Sequence, residues 1–119
     1  MSVQGLASIS DGPAAAEVGE NISVTSTHTV SVANTSGSSI SCTVTYRISH
    51  DRGSHSFEKV DSHSIPDGGS LKETANGLLS FAPEVTGPHR MKATTIVDCG
   101  SFGIDQGMST NWTIQVSSS

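Results

Sequence analysis

The sequence predicts an all-β fold: a two-sheet, immunoglobulin-like β-sandwich of about seven short strands, forming one domain over residues 1–119. Three observations carry this expectation. Apolar and hydroxylated residues alternate over long stretches, most strictly from Ile40 to Ser49. There Ile40, Cys42, Val44, Tyr46 and Ile48 share one face, and Ser41, Thr43, Thr45, Arg47 and Ser49 share the other. Successive strand side chains point to opposite faces, so the pattern describes a strand with one buried and one wet side. Turn residues punctuate the chain, as at Asp11-Gly12-Pro13 and Pro66-Asp67-Gly68-Gly69. Only 14% of residues are charged while Ser and Thr abound, which favours wet-faced strands over long solvated helices.

Taken in order, Val3 to Ile9 reads as a short edge strand, with Val3, Gly5, Ala7 and Ile9 in phase and Leu6 breaking the pattern. Ala14 to Glu17 reads as a helical turn or a loop. Ile22 to Ala33 is a long strand whose apolar phase holds Ile22, Val24, His28, Val30 and Val32, with Ser26 the small exception. The polar run Asn34 to Ser39 either closes a hairpin or crosses between sheets. Phe57 to His63 is a weaker strand; Phe57 and Val60 fall out of phase, which predicts a bulge or a short element. Ser70 to Phe81 is ambiguous. Ser70 with Glu73 fits a helix capping box, but Leu71, Leu78, Leu79 and Phe81 fit a strand better. His89 to Asp98 is a clear strand, with Met91, Ala93, Thr95, Val97 and Cys99 in phase. Gly100 to Gly107 reads as a loop, and Thr110 to Val116 closes the fold with Trp112, Ile114 and Val116 inward. The expected core is Ile22, Val24, Val30, Val32, Ile40, Val44, Tyr46, Ile48, Met91, Val97, Trp112, Ile114 and Val116.

Charge and hydropathy narrow the partners. The formal net charge is -5, and the six Lys and Arg are scattered. An acidic surface repels phosphate backbones, so no nucleic acid is expected. No apolar run reaches the roughly 20 residues of a membrane span, so no membrane insertion is expected. Met1 to Ile9 lacks a basic segment followed by an apolar core, which predicts no secretory signal there. Either a signal has been replaced by Met1, or the protein is made in a cytosol and released with a particle, as virion components are.

The order of strands and turns resembles a known family. A strand ends at "VANTSGSS", the strand "ISCTVTYRI" follows, and then come "SIPDGGSLKET" and "GPHRMKATTIVDCG". The matching positions are Asn34 and Gly37, Pro66 with Gly68 to Ser70, then Gly87, His89 and Asp98. In these features the stretch from Asn21 to Gly100 resembles the bacterial adhesion-related CARDB domain and related immunoglobulin-like surface modules. The spacing Asn-Thr-Ser-Gly departs from that family's tighter Asn-x-Gly turn. The resemblance implies a noncatalytic, often repeated surface module and transfers no active-site residues.

Candidate chemistry is sparse. There is no Gly-x-Ser-x-Gly elbow and no phosphate-cradling glycine loop, so neither an enzyme nor a cofactor is expected. Five histidines invite a metal reading, with His50, His55 and His63 flanking one loop near Asp51 and Asp61. They lack a tight His-x-His pair, and solvated loop histidines are the expectation, with no metal site. His28 lies on an apolar phase and is expected to be a core histidine bonded to a backbone or hydroxyl group. Asn21, Asn34 and Asn111 each open an Asn-x-Ser/Thr sequon. Cys42 and Cys99 both fall on apolar phases and are expected to bond, either side by side in one sheet or across the two.

These features favour an interaction or structural module on an exterior surface, bacterial or virion, acting through edges and loops with a protein partner or a second copy. A glycan or small-ligand binder is the competitor, and a small hydrolase comes third. If a ligand binds, the polar loops supply Asn34, Ser36, His50, Asp51, Arg52 and His55 as binding residues.

Overall fold

Alternation in the sequence becomes burial in space. The computed structural model describes residues 1–119 and carries eight strands: β1 (Ser2–Asp11), β2 (Ala15–Glu17), β3 (Ile22–Ala33), β4 (Ile40–His50), β5 (Phe57–Ile65), β6 (Ser70–Phe81), β7 (Gly87–Asp98) and β8 (Ile104–Ser117). In β4 every second residue from Ile40 to His50 is buried, and in β3 the same holds from Ile22 to Val32. The strands form a three-stranded sheet, β1-β3-β6, and a five-stranded sheet, β2-β8-β7-β4-β5. Only β2 pairs in parallel, with β8. The sheets face each other as a β-sandwich 59 × 18 × 18 Å in extent. β1 lies over β7 and β8, and β6 lies over β4 and β5. The strands β5 and β6 therefore end the two sheets on the same side.

Three elements depart from the sequence expectation, and one ambiguity resolves. Ala14 to Glu17 is no helical turn: Ala15–Glu17 adds to β8, pairing Ala15 with Gln115 and burying Ala16. β5 has no bulge. Its register runs unbroken from Ile40 opposite Ile65 to Ile48 opposite Phe57, and Val60 simply faces solvent. Ser70 to Phe81 is the strand its apolar residues favour: β6 pairs along its whole length with β3, and the capping signal at Ser70 and Glu73 goes unused. β8 starts at Ile104, and the expected loop shrinks to a 3-10 turn, Gly100–Phe102. Ile104 and Met108 hid that start because both are exposed. On the inner face Gly107 lets β1 cross closely: a Cβ there would stand 2.0 Å from the Gly5 carbonyl oxygen. The bulge of this region is at β7–β8, between Met91 and Ala93.

The core has two apolar halves. One gathers Ile9, Ile22, Val24, Ile48, Leu79, Phe81, Met91, Ile114 and Val116. The other gathers Val30, Val32, Ile40, Val44, Tyr46, Ile65 and Val97 around Cys42 and Cys99. Between Val24 and Val30 along β3 lie Ser26 and His28, both fully buried. Of the expected core, only Trp112 is not buried. Its ring is half-covered because its indole Nε1–H donates to the Pro13 carbonyl at 2.9 Å, near the surface.

Cys42 and Cys99 form a disulfide, with Cα atoms 4.2 Å apart. The pairing of Thr43 with Asp98 in β4–β7 sets the two cysteines opposite each other. The bond thus joins neighbouring strands of one sheet rather than crossing the sandwich.

Candidate functional site

The loop residues singled out from sequence separate into two groups. Asn34 and Ser36 lie where β3 turns into β4; His50 ends β4, and Asp51 to His55 follow it. The eleven residues of β4 set the two groups about 35 Å apart at strand rise. Asn34 is buried, and its amide donates to the Ser38, Ile65 and Pro66 carbonyls. Its Oδ1 accepts from the Ser36 amide at 3.0 Å and the Ser36 hydroxyl at 2.7 Å. Asn34 ties this turn to the β5–β6 turn, and the Ser36 side chain is occupied within its own turn.

At the other end, Asp51 accepts from the Arg90 backbone amide at 2.9 Å and pairs with the Arg90 guanidinium at 3.3 Å. The Arg90 amide holds the Asp51 carboxyl below its usual range. Arg52 donates through Nε to the Pro88 carbonyl at 3.1 Å. His50 stacks between His55 and His89, with ring centroids 5.5 and 5.4 Å away, and on Phe81 at 4.7 Å. His55 reaches Glu84 at 3.3 Å. Burial, then the neighbouring imidazoles, push His50 below its ordinary pKa. A shallow depression bordered by Ser49, His50, Asp51, Arg90, Lys92 and Thr110 opens beside this stack. His50 Nε2 meets His55 Nδ1 at 3.3 Å, so these two nitrogens engage each other.

The contact between Ser26 Oγ and His28 Nε2, at 2.6 Å, has the composition of a nucleophile–base pair. Both residues are fully buried and neither borders a surface depression. The pair belongs to a polar relay: His28 Nδ1 meets Thr95 Oγ1 at 2.9 Å, and that hydroxyl donates to the Leu6 carbonyl at 2.8 Å. With the Thr95 proton committed to Leu6, His28 donates from Nδ1 and accepts from Ser26 at Nε2. His28 is therefore the bonded core histidine that its strand phase predicts, and burial lowers its pKa.

A third group assembles on the open side of the sandwich. Asp61 and His63 point inward from β5, and Glu73 comes from β6 in the other sheet. His63 Nε2 stands 3.1 Å from Glu73 Oε2. One ligand atom from each of the three lies within 4.8 Å of the others. Beneath them is Tyr46, whose buried hydroxyl has no well-formed hydrogen bond. Burial, with Glu73 and Asp61 adding to it, pushes the Tyr46 phenol up to about 12. Sequence reasoning placed His63 with His50 and His55, but β5 carries it away from them, to pair opposite Cys42. It missed Glu73, because nothing local tells which strand of one sheet faces which strand of the other.

The outer backbone of β1 is covered by side chains. Asp105 accepts from the Gly5 amide at 2.8 Å. Asn111 accepts from the Ile9 amide and donates to the Ile9 carbonyl, both at 2.9 Å. The sequons differ for the same reasons: Asn34 is buried, the Asn111 amide is engaged by Ile9, and Asn21 stands exposed.

No family model and no curated protein matches the sequence. Among solved structures, 92% of the chain is similar to 30% of an alkylpurine DNA glycosylase from Pseudomonas fluorescens bound to DNA containing an abasic site analog, at 18% identity and a TM-score of 0.41. Another 96% alignment covers 16% of a β-glucosidase from Listeria innocua in complex with gluconolactone, at 15% identity and a TM-score of 0.31. The chain thus spans less than a third of either protein. Likenesses this distant carry no argument about activity.

Proposed function

We propose that this chain is an immunoglobulin-like, noncatalytic interaction module of an exterior surface, cellular or viral, that engages a protein partner or a second copy along the β5–β6 side. The observation behind this is the contrast between the two sides of the sandwich. Side chains of β8 occupy the outer backbone groups of Gly5 and Ile9 in β1. β5 and β6, nine and twelve residues long, each have a strand neighbour on one flank only. An added strand gains main-chain hydrogen bonds there without needing a pocket. Glu58, Lys59 and Asp61 along β5 discourage indiscriminate pairing while leaving the edge open to a complementary partner. The Cys42–Cys99 bond fits an oxidising, extracellular setting. The likeness to CARDB-type modules points to the same kind of role.

The glycan-binding alternative lacks an aromatic platform. Tyr46 is fully buried and the Trp112 ring is half-covered, leaving Phe102 as the exposed ring. Sedimentation velocity across a wide concentration range tests self-association by this edge. Wild type is expected to form reversible dimers, and Val60→Lys on the exposed face of β5 is expected to remain monomeric with an unchanged melting temperature. Wild type that stays monomeric throughout removes the self-association arm. A sugar-specific signal on a glycan array would replace the whole reading.

A further inference from the structure

We infer that Asp61, His63 and Glu73 form a site for a divalent transition-metal ion, Zn²⁺ foremost, that clasps the two sheets together on their open side. The three residues come from two elements that share no hydrogen bonds: β5 ends the five-stranded sheet and β6 the three-stranded one. Their ligand atoms nevertheless converge within 4.8 Å. Zinc bonds of about 2.0–2.2 Å at tetrahedral angles set ligand atoms roughly 3.3–3.6 Å apart. The 3.1 Å between His63 Nε2 and Glu73 Oε2 is already close to that spacing. The side chains of His63, Glu73 and Asp61 are 27%, 31% and 29% exposed, so an ion can enter while most of the site stays walled by protein.

The donor set selects the ion class. One imidazole nitrogen and two carboxylates suit Zn²⁺ and its neighbours, whereas Ca²⁺ takes six to eight oxygen ligands. Tyr46 supplies an independent indication. It is 1% exposed, and its hydroxyl lies beside Glu73 and Asp61 without a hydrogen bond of good geometry. A buried donor left without a partner has a cost. A carboxylate fixed on a metal ion presents its free oxygen to such a donor, the usual outer-shell arrangement of zinc sites. Lys59 competes for Asp61 from 3.7 Å, but it is 59% exposed and free to withdraw.

The competing account is a plain ion pair between His63 and Glu73 across the sheets. Chelator-treated protein titrated with ZnCl₂ by calorimetry, and melted with and without Zn²⁺, separates the two. The clasp predicts one Zn²⁺ per chain and a melting temperature raised by about 5–10 °C at saturation. Co²⁺ in its place should give the visible absorption of a tetrahedral centre. His63→Gln and Glu73→Gln should each weaken Zn²⁺ uptake by tenfold or more, with Asp61→Asn as the substitute where either fails to fold. The double variant His50→Gln/His55→Gln removes the partly exposed His55 and the buried His50 beside it, and should bind as wild type does. No uptake by wild type, uptake that survives in the three clasp variants, or uptake lost with His50 and His55 would each overturn the site.

Discussion

Val44 and its neighbours show how far one residue can be read from sequence. Val44 is fully buried, so Val44→Asp places an unpaired carboxylate in the core and should abolish folding. Thr43, on the wet face, is less neutral than alternation suggests, because it lies directly opposite Asp98. A carboxylate there would face another across the strands. Ser41→Asp, opposite Ser64, is the cleaner control and should leave the circular dichroism spectrum and melting temperature nearly unchanged. The histidines add a pH dependence. Burial lowers the pKa of His28 and of His50 below 6.5, so the unfolded chain binds protons more readily than the folded one. Their contribution is complete above pH 6.5 and is lost as pH falls below it. Asp51, lowered from 3.8, adds its loss only at more acidic pH. Melting temperatures should therefore fall on moving from neutral pH to about pH 5. His50→Gln should flatten that fall; an unchanged slope would mean that His50 does not titrate in this range.

Among elements, what could be read depended on how the inward phase was filled. β3 and β4 alternate cleanly, and β7 does so apart from Thr94; their buried residues are the apolar ones plus Ser26, His28, His50, His89, Thr94 and Thr95. β8 was half-hidden because its inward residues before the bulge are Asp105, Gly107 and Ser109, while Ile104 and Met108 face water. Those inward polar residues serve the crossing of β1, a tertiary fact that no local pattern encodes. Glu73 escaped grouping with Asp61 and His63 for the same reason. The covering of β1 has a measurable consequence. Asn111→Ala strips partners from both the amide and the carbonyl of Ile9, which should cost roughly 1–3 kcal/mol in chemical denaturation. Amide exchange at Ile9 should quicken with it. Deleting Met1 to Ile9 should go further and unfold the domain, since β1 buries Ile9 and pairs with β3 from Ser2 to Asp11. A folded truncation would mean that β1 is an accessory strand, available to other partners.

For the whole molecule the governing fact is its shape. A sandwich 59 Å long and 18 Å across has a thin core, two apolar halves with buried Ser26 and His28 between them along β3. A thin core leaves little apolar area per residue, and cross-links then matter more. The Cys42–Cys99 bond closes a loop with a sequence separation of 57, which contains most of β4 and all of β5, β6 and β7. On the chain-entropy model such a closure stabilises the native state by about 4 kcal/mol. For a domain of this size that corresponds to a melting temperature roughly 15 °C higher. The half-core beside the bond, with Val30, Val44, Tyr46 and Val97, also holds the clasp residues above Tyr46, so loosening it should reach β5 and β6 first. Cys42→Ala/Cys99→Ala should therefore melt about 15 °C below the oxidised protein, and its amides in β5 should lose exchange protection before those of β3. A free-thiol assay on denatured, unreduced wild type should find no reactive thiol. Two reactive thiols there, or a double variant melting with wild type, would show that the fold does not depend on this bond.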